Sequence, residues 1–339
     1  VITPQQIRGV LLEEAVLHLL RKSGYKTVDA PGGDPTLHTG GAGLFVRGRG
    51  GSHQIDAIAD FLIHQPFTNP SRLLVEAKCY FRRDVRLPEV RNAVGVLKDV
   101  SEFWVPGPGP VAGRRRYHYQ SAIVSASGFS EDAQEYAFAH DIYLIPLGDS
   151  PFFRPLLEAI RTAVRPFPML PDSLVSTQRI SYLRRSVREA LRYRAEPEQE
   201  TDDPLLPWVD LRPFLRACEQ LNYVLVGVLG GQRPILQTPG EEMRLGDIPE
   251  RLHVRIYWNE SGWYLGHDRN HPLFSFDLPR RLFDLYAEEG NLSAERALQL
   301  KAEFMGIFQA IQTDNGRARI ITFELDFDWL NQLRRRDSL

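Results

Sequence analysis

The stretch Arg72-Leu73-Leu74-Val75-Glu76-Ala77-Lys78-Cys79, residues 72–79, decides how this chain folds. An apolar run of strand-forming residues ends in an acid and a lysine two positions apart. Side chains alternate across a strand, so Glu76 and Lys78 project from one face and Ala77 from the other. A carboxylate and an ammonium are thereby delivered together at the end of one strand.

The segment upstream repeats the pattern. Gln54-Ile55-Asp56-Ala57-Ile58-Ala59-Asp60-Phe61 alternates as a strand, with Asp56 and Asp60 on one face and Ile55, Ala57, Ala59 and Phe61 on the other. Pro66 and Pro70 mark a turn between the two segments, which predicts an antiparallel hairpin. Any register whose paired numbers sum to an even value puts Asp56 on the face of Glu76, including the one that sets them directly opposite, and the sequence does not fix which of these forms. Asp60 takes the place of Asp56 if the pairing shifts by four.

A third acid comes from the first helix. Thr3-Pro4-Gln5-Gln6 carries an N-cap, a proline in the first turn and a capping-box glutamine, and Gly24 stops the helix. On a helical wheel Glu13 falls among Gly9, Val10, Val16, Leu17 and Leu20, while Glu14 falls at the polar edge near His18 and Arg21. Glu13 is therefore the expected inward carboxylate. Acids and a lysine converging from apolar elements are what metal-assisted phosphodiester hydrolysis needs, and without a cation such a group of buried charges is costly.

The glycines of residues 25–52, including Gly32-Gly33, Gly40-Gly41 and Arg47-Gly48-Arg49-Gly50-Gly51, are read as turns between short strands. They lack the Gly-Lys-Ser/Thr ending of a phosphate-cradling loop. Further on, a helix from Pro88 to about Phe103, a strand Tyr119–Ser125, a helix capped by Ser130 and a strand Ile142–Ile145 predict parallel strands covered by helices. Ser125, Ser127 and His140 do not compose a hydrolytic triad, because no nucleophile-elbow glycines surround a serine.

A helix near Pro151–Val164 is followed by one from about Asp172 to Arg194, on which Arg184, Arg185, Arg188 and Arg192 gather beside an apolar stripe. The acidic, apolar-poor run 195–204 then marks a boundary. Residues 1–165 are expected to form a catalytic domain, 166–205 a helical connector and acidic linker, and 206–339 a C-terminal α+β domain. The last should hold a helix at 209–221, strands at 223–229, 253–258, 263–267 and 319–324, and helices at 279–288 and 293–312. No catalytic motif stands out in it.

Composition bounds the setting. The 339 residues are 43% hydrophobic, enough for two packed cores, and the net charge of -2 leaves any polyanion contact to a local basic face. Cys79 and Cys218 are too few for a disulfide framework, and no secretory leader or apolar spanning run is evident, so a cytoplasmic protein without membrane contact is expected. Of 41 Lys and Arg residues only five, at 22, 26, 78, 98 and 301, are lysines, which singles out Lys78 as a place where a compact ammonium is wanted.

Glu13, Asp56 and Glu76-x-Lys78, in that order and spacing, resemble the PD-(D/E)xK nuclease superfamily, and most closely the Mrr-type restriction endonucleases. The resemblance runs through Leu12-Glu13, Gly24-Tyr25, Gly50-Gly51 leading to Ile55-Asp56, Glu76-Ala77-Lys78, and Ser127-Gly128-Phe129-Ser130 leading to Ile142-Tyr143-Leu144-Ile145. It covers roughly residues 5 to 150. The sequence departs from the family by His53-Gln54 before Ile55, and no winged helix is expected ahead of the catalytic part.

The resemblance implies an α/β fold with a restriction-endonuclease-like mixed β-sheet flanked by helices. It also implies a DNA endonuclease that uses Mg²⁺, with Mn²⁺ able to substitute. Asp56, Glu76 and the Ala77 carbonyl would hold the ion, Lys78 would orient the attacking water, and Glu13 would reach the metal through water or hold a second ion. Gln54 and Gln120 are candidates to contact that water or a neighbouring phosphate, and Arg184, Arg188 and Arg192 to track the DNA backbone. Defence against foreign DNA is the expected setting, with DNA repair or recombination, or a non-catalytic DNA-binding or assembly module, as alternatives. A homodimer or larger assembly is compatible with this reading. With no Walker motif in the sequence, any ATP-driven step would fall to a separate ATPase or defence-system partner.

Overall fold

The structure is a computed structural model. It describes residues 3–164 except 41, 42, 65, 107–112, 114 and 115, then 177–191, 209–221, 224–228, 235–237, 248–259, 262–268, 270–276, 307–314 and 317–332 except 330. The chain divides into two compact units, Val1–Arg21 with Tyr25–Leu221, and Lys22–Gly24 with Asn222–Leu339.

Helix α1 (Pro4–Lys22) begins as its sequence dictates. The Gln6 N–H donates to the Thr3 hydroxyl at 3.2 Å and the Thr3 N–H donates to the Gln6 side chain at 2.8 Å, a reciprocal box that satisfies two otherwise orphaned donors. Gly24, at φ 86°, turns the chain in the left-handed region and sends it into strand β1 (Tyr25–Thr27).

A five-stranded sheet is the frame of the first unit, in the order β1-β5-β6-β7-β8. It joins β1 to β5 (Ala57–Phe61), β6 (Ser71–Lys78), β7 (His118–Ser125) and β8 (Ile142–Pro146). β1, β5 and β6 are antiparallel, whereas β6, β7 and β8 are parallel. The parallel half needs crossovers, supplied by α2 (Leu87–Ser101) and α3 (Glu131–Ala139). Val90, Ala93, Ala133 and Ala137 of these helices pack with Ile123 and Ile142 in one buried cluster.

Strands β2 (Leu37–Gly40), β3 (Gly43–Arg47) and β4 (Ser52–Gln54) form a separate antiparallel sheet. Its Leu37 and Val46 share a second cluster with Ile58, Leu74 and Val100. The β3–β4 connection is a turn between short strands, as its glycines suggested, and it docks on α2. The Gly50 N–H donates to Asp99 on α2 at 2.8 Å, and a Cβ on Gly48 would lie 1.9 Å from the same carboxylate, so a larger residue there would have to displace Asp99.

Arg72 holds this half together. It is 2% exposed, its guanidinium bonds both oxygens of Asp60 at 2.6 and 2.9 Å, and it pairs with Asp34 at 2.9 Å. The Tyr117 ring covers it at 3.7 Å. Asp34 also accepts from the Tyr117 hydroxyl and from Thr36, and although burial opposes its ionisation, these bonds and Arg72 hold its carboxyl below the usual range.

Three helices follow, α4 (Arg154–Thr162), α5 (Thr177–Ala190) and α6 (Arg212–Gln220). The helix expected to open the second domain instead lies with the first unit. The Asp210 N–H donates to the Ala163 carbonyl at 2.9 Å, and Val209 bridges Val164. The division accordingly falls after Leu221, where the acidic run had placed it near residue 205.

The described residues of the second unit are mainly strands. Strands β9 (Val224–Val228), β10 (Ile235–Gln237), β11 (Arg251–Asn259), β12 (Gly262–Asp268), β13 (His271–Phe276), β14 (Ile307–Asp314) and β15 (Arg317–Leu325) close into a barrel in the order β10-β13-β12-β11-β15-β14-β9. Closure removes the exposed strand edges. The helix expected over 293–312 gives way to β14 from Ile307 onward, where Ala310 and Gln312 are buried and Gln309 is exposed in strand alternation. Residues 279–288, expected to be helical, lie outside the described residues. No helix among the described residues is long and apolar enough to cross a membrane.

Replacing Arg72 by Ala would leave Asp60 without its cation and Asp34 with only Arg116 at 3.6 Å inside the first unit. Removing one partner of a buried pair costs about 3–5 kcal/mol. The Arg72→Ala chain is expected to show its first urea transition displaced by that amount, with a much smaller change for Arg49→Ala, whose partner Glu102 lies at the surface.

Candidate active site

The β5–β6 register pairs Ala57 with Val75, Ile58 with Leu74, Ala59 with Leu73 and Asp60 with Arg72. Continued one step beyond the strand, it brings Asp56 opposite Glu76. The Asp56 carboxylate accepts from the Ala77 N–H at 2.8 Å, which pins it to the end of β6. Asp60, the alternative acid, is committed to Arg72 at the far end of the hairpin. Lys78 pairs with Glu76 on the shared face, the two side chains 21% and 29% exposed.

Electrostatics marks Asp56 as the anomalous group. Burial, then the Glu76 and Glu13 charges, push its carboxyl up to about 7, against the lowering effect of the Ala77 N–H and Lys78. Burial also raises Glu13, with Arg184 opposing and Glu14 and Glu76 adding to the rise. Lys78 moves up as well, because Glu76 and Asp56 outweigh the burial that would favour the neutral amine. The ammonium is thus held charged between two acids.

Glu13 and Glu14 are fixed by α5. Arg184 pairs with Glu13 and reaches Glu14 at 3.0 Å, while Arg188 bonds both oxygens of Glu14 at 2.7 and 2.8 Å and extends to Asp29 at 3.2 Å. This corrects two expectations. Glu14 is not at a polar edge but 1% exposed, because α5 covers that side of α1. Arg184 and Arg188, expected to track phosphates, have their guanidinium groups occupied by these acids. Two neighbouring acids on an apolar helix, opposite an arginine-rich one, were the available signal for this cluster.

The glutamines fare differently. Gln54 lies exposed at the end of β4, two residues before Asp56, where the expected role remains open to it. Gln120 pairs with Leu73 in the parallel β6–β7 register, whereas Glu76 pairs with Ile123 and Lys78 with Ser125. Paired residues share a face, so Gln120 points away from Glu76 and Lys78. Buried Ser125 stands in its place beside Lys78, its hydroxyl 3.2 Å from that of Ser127. Arg192 lies outside the described residues.

The donors Asp56, Glu76 and the Ala77 carbonyl are hard oxygens of the kind Mg²⁺ takes, and half-buried Asp56 has no cation in contact among the described residues. The residues fit the ion chemically. Among the described residues no three His, Cys, Asp or Glu side chains are gathered as a ready ligand set. Glu76 is turned to Lys78 and Glu13 to Arg184.

A mixed sheet flanked by helices, with an Asp opposite Glu-x-Lys at the hairpin end, defines a restriction-endonuclease-like domain of the PD-(D/E)xK class. Residues 5–149 match the family model of the Mrr catalytic domain, described as "Restriction endonuclease", and are similar to a nuclease domain of that type. No curated protein matches the chain. A solved structure described as "Crystal Structure of Protein of Unknown Function AF1548" is similar at 17% identity and a TM-score of 0.33, over 54% of this chain and 83% of its own.

Because the folded Asp56 titrates near 7, above its ordinary value of 3.8, the folded state holds the proton more tightly than the unfolded one. Stability from this group is then lost as pH rises from about 4 to about 7. Asp56→Asn removes that loss, so in metal-free buffer at pH 8 the variant is expected to exceed the wild type by about 4 kcal/mol. The two should converge near pH 4, as read by urea unfolding at each pH.

Proposed function

We propose that the domain spanning residues 5–149 is a Mg²⁺-dependent DNA endonuclease acting in restriction of, or defence against, foreign DNA. One observation carries the reading: in an Mrr-type domain, the hairpin register sets Asp56 opposite Glu76 with Lys78 on the same face. Asp56, Glu76 and the Ala77 carbonyl would hold the ion. When bound, Mg²⁺ would lower the pKa of a water and neutralise charge on the phosphoryl oxygens.

The chain's own residues perform the rest. Lys78, kept protonated by Glu76 and Asp56, donates hydrogen bonds that orient the attacking water and offset negative charge developing on the phosphate. The Ala77 N–H holds one Asp56 oxygen and so aims the other. Glu13, steadied by Arg184, adds negative potential from the α1 side.

Plasmid cleavage tests this directly. Wild type with Mg²⁺ or Mn²⁺ is expected to nick or linearise DNA, and EDTA to abolish it. Lys78→Ala should slow cleavage by about 10²–10³-fold, the usual loss for a preorganised charge-stabilising donor. Mg²⁺ should also raise the melting temperature of wild type but not of Asp56→Asn. Cleavage that persists through both EDTA and Lys78→Ala would overturn the assignment.

A further inference from the structure

The segment between β6 and α2, Cys79-Tyr80-Phe81-Arg82-Arg83-Asp84-Val85-Arg86, carries three arginines within eight residues of Lys78. It is tied down along its length. Val85 and Phe129 form a bridge, the Ser130 N–H donates to the Val85 carbonyl at 3.0 Å, the Ser127 hydroxyl donates to the Arg83 carbonyl at 2.8 Å, and the Gly128 N–H donates to Asp84 at 3.1 Å. The same 125–130 stretch is anchored to the site, because the Ala126 N–H donates to the Lys78 carbonyl at 2.9 Å. Loop and lysine are thus built on one support.

The charges divide unevenly. Asp84 accepts from Gly128, and Glu89 accepts from Arg83 at 3.2 Å and from the Arg86 N–H at 3.3 Å. Arg83 is further held over the Tyr80 ring at 3.9 Å. Arg82 and Arg86 are exposed and make no ion pair among the described residues. An extended chain covers at most about 14 Å in four residues, so Arg82 lies within reach of phosphates adjoining one held at Lys78. Duplex DNA carries a phosphate on each strand about every 3.4 Å along its axis, so several fall within that span.

We propose that Arg82 and Arg86 form a phosphate-gripping rim for duplex DNA beside the scissile bond, on a loop held rigid by Val85, Arg83 and the 127–130 turn. The inference rests on the endonuclease reading for its partner. It moves backbone contact from α5, whose Arg184 and Arg188 are occupied, to the β6–α2 loop.

The test uses the full chain carrying Lys78→Ala, so that DNA stays intact, and follows its binding to a fluorescent duplex across a salt series. Adding Arg82→Glu and Arg86→Glu is expected to weaken binding at least tenfold and to reduce the slope of log K against log salt by about two, roughly 0.9 per phosphate contact. Arg154→Glu, an exposed charge reversal on α4, should leave the slope unchanged. Equal slopes for the Lys78→Ala parent and its double-Glu derivative would overturn the rim while leaving the endonuclease reading intact. A wild-type chain that cuts no DNA with any divalent ion, while the parent binds through these arginines, would overturn the endonuclease reading and support the rim. Absence of salt-sensitive binding by the parent would overturn both.

Discussion

The bidentate bond between Arg72 and Asp60 fixes which residue of β5 faces which residue of β6, and the site inherits that choice. A slip of one residue would turn Asp56 to the opposite face from Glu76. A slip of four would substitute Asp60 for Asp56, but Asp60 is committed to a guanidinium that is almost wholly buried and covered by Tyr117. Arg72 follows Asp60 by twelve positions, and the turn between them does not dictate the pairing. The ion pair does, and the Ala77 N–H bond to Asp56 closes the hairpin's other end in the same register.

At that end two like charges, Asp56 and Glu76, face each other, and the remaining contacts pair opposite charges: Glu76 with Lys78, Glu13 with Arg184, Glu14 with Arg184 and Arg188. Of these acids Asp56 alone lacks a cation in direct contact among the described residues, and it is the one whose ionisation burial and neighbours oppose most. A divalent ion would relieve that opposition, because it supplies the positive charge that the surrounding protein withholds. The α5 arginines lie beyond residues 5–149, so in this chain the catalytic domain is completed by a helix that follows the family's matched segment.

Local rules made much of this legible. The capping box at Thr3, the left-handed Gly24, the hairpin strands and the alternation that puts Glu76 and Lys78 together all follow from neighbours in sequence. What depended on distant chain was not legible. A wheel placed Glu14 at an edge because it could not know that α5 would cover it. Gln120 lay on the wrong face because strand parity is relative until the β6–β7 register is fixed. In the second unit, Ile307 to Gln312 continued a helical pattern, although Ile311 and Thr313 favour a strand and Asn315-Gly316 is a hairpin dipeptide. Pairing with β15 decided the matter.

Arginine and lysine are used for different tasks in this domain. Where a cation must hold fixed acids, the chain places a planar fork that can bond two oxygens or two carboxylates at once, as Arg72 does with Asp60 and Asp34, and Arg188 with Glu14 and Asp29. Such a charge is geometrically committed and cannot follow a reacting group. Lys78 is a point charge on a flexible stem, bonded to a single carboxylate oxygen and partly open to solvent. On the proposed endonuclease reading it would leave Glu76 for a phosphate oxygen and return without breaking a two-pronged lock. In a protein that otherwise strongly prefers arginine, that reading would explain an ammonium at this position by the need for a cation that moves.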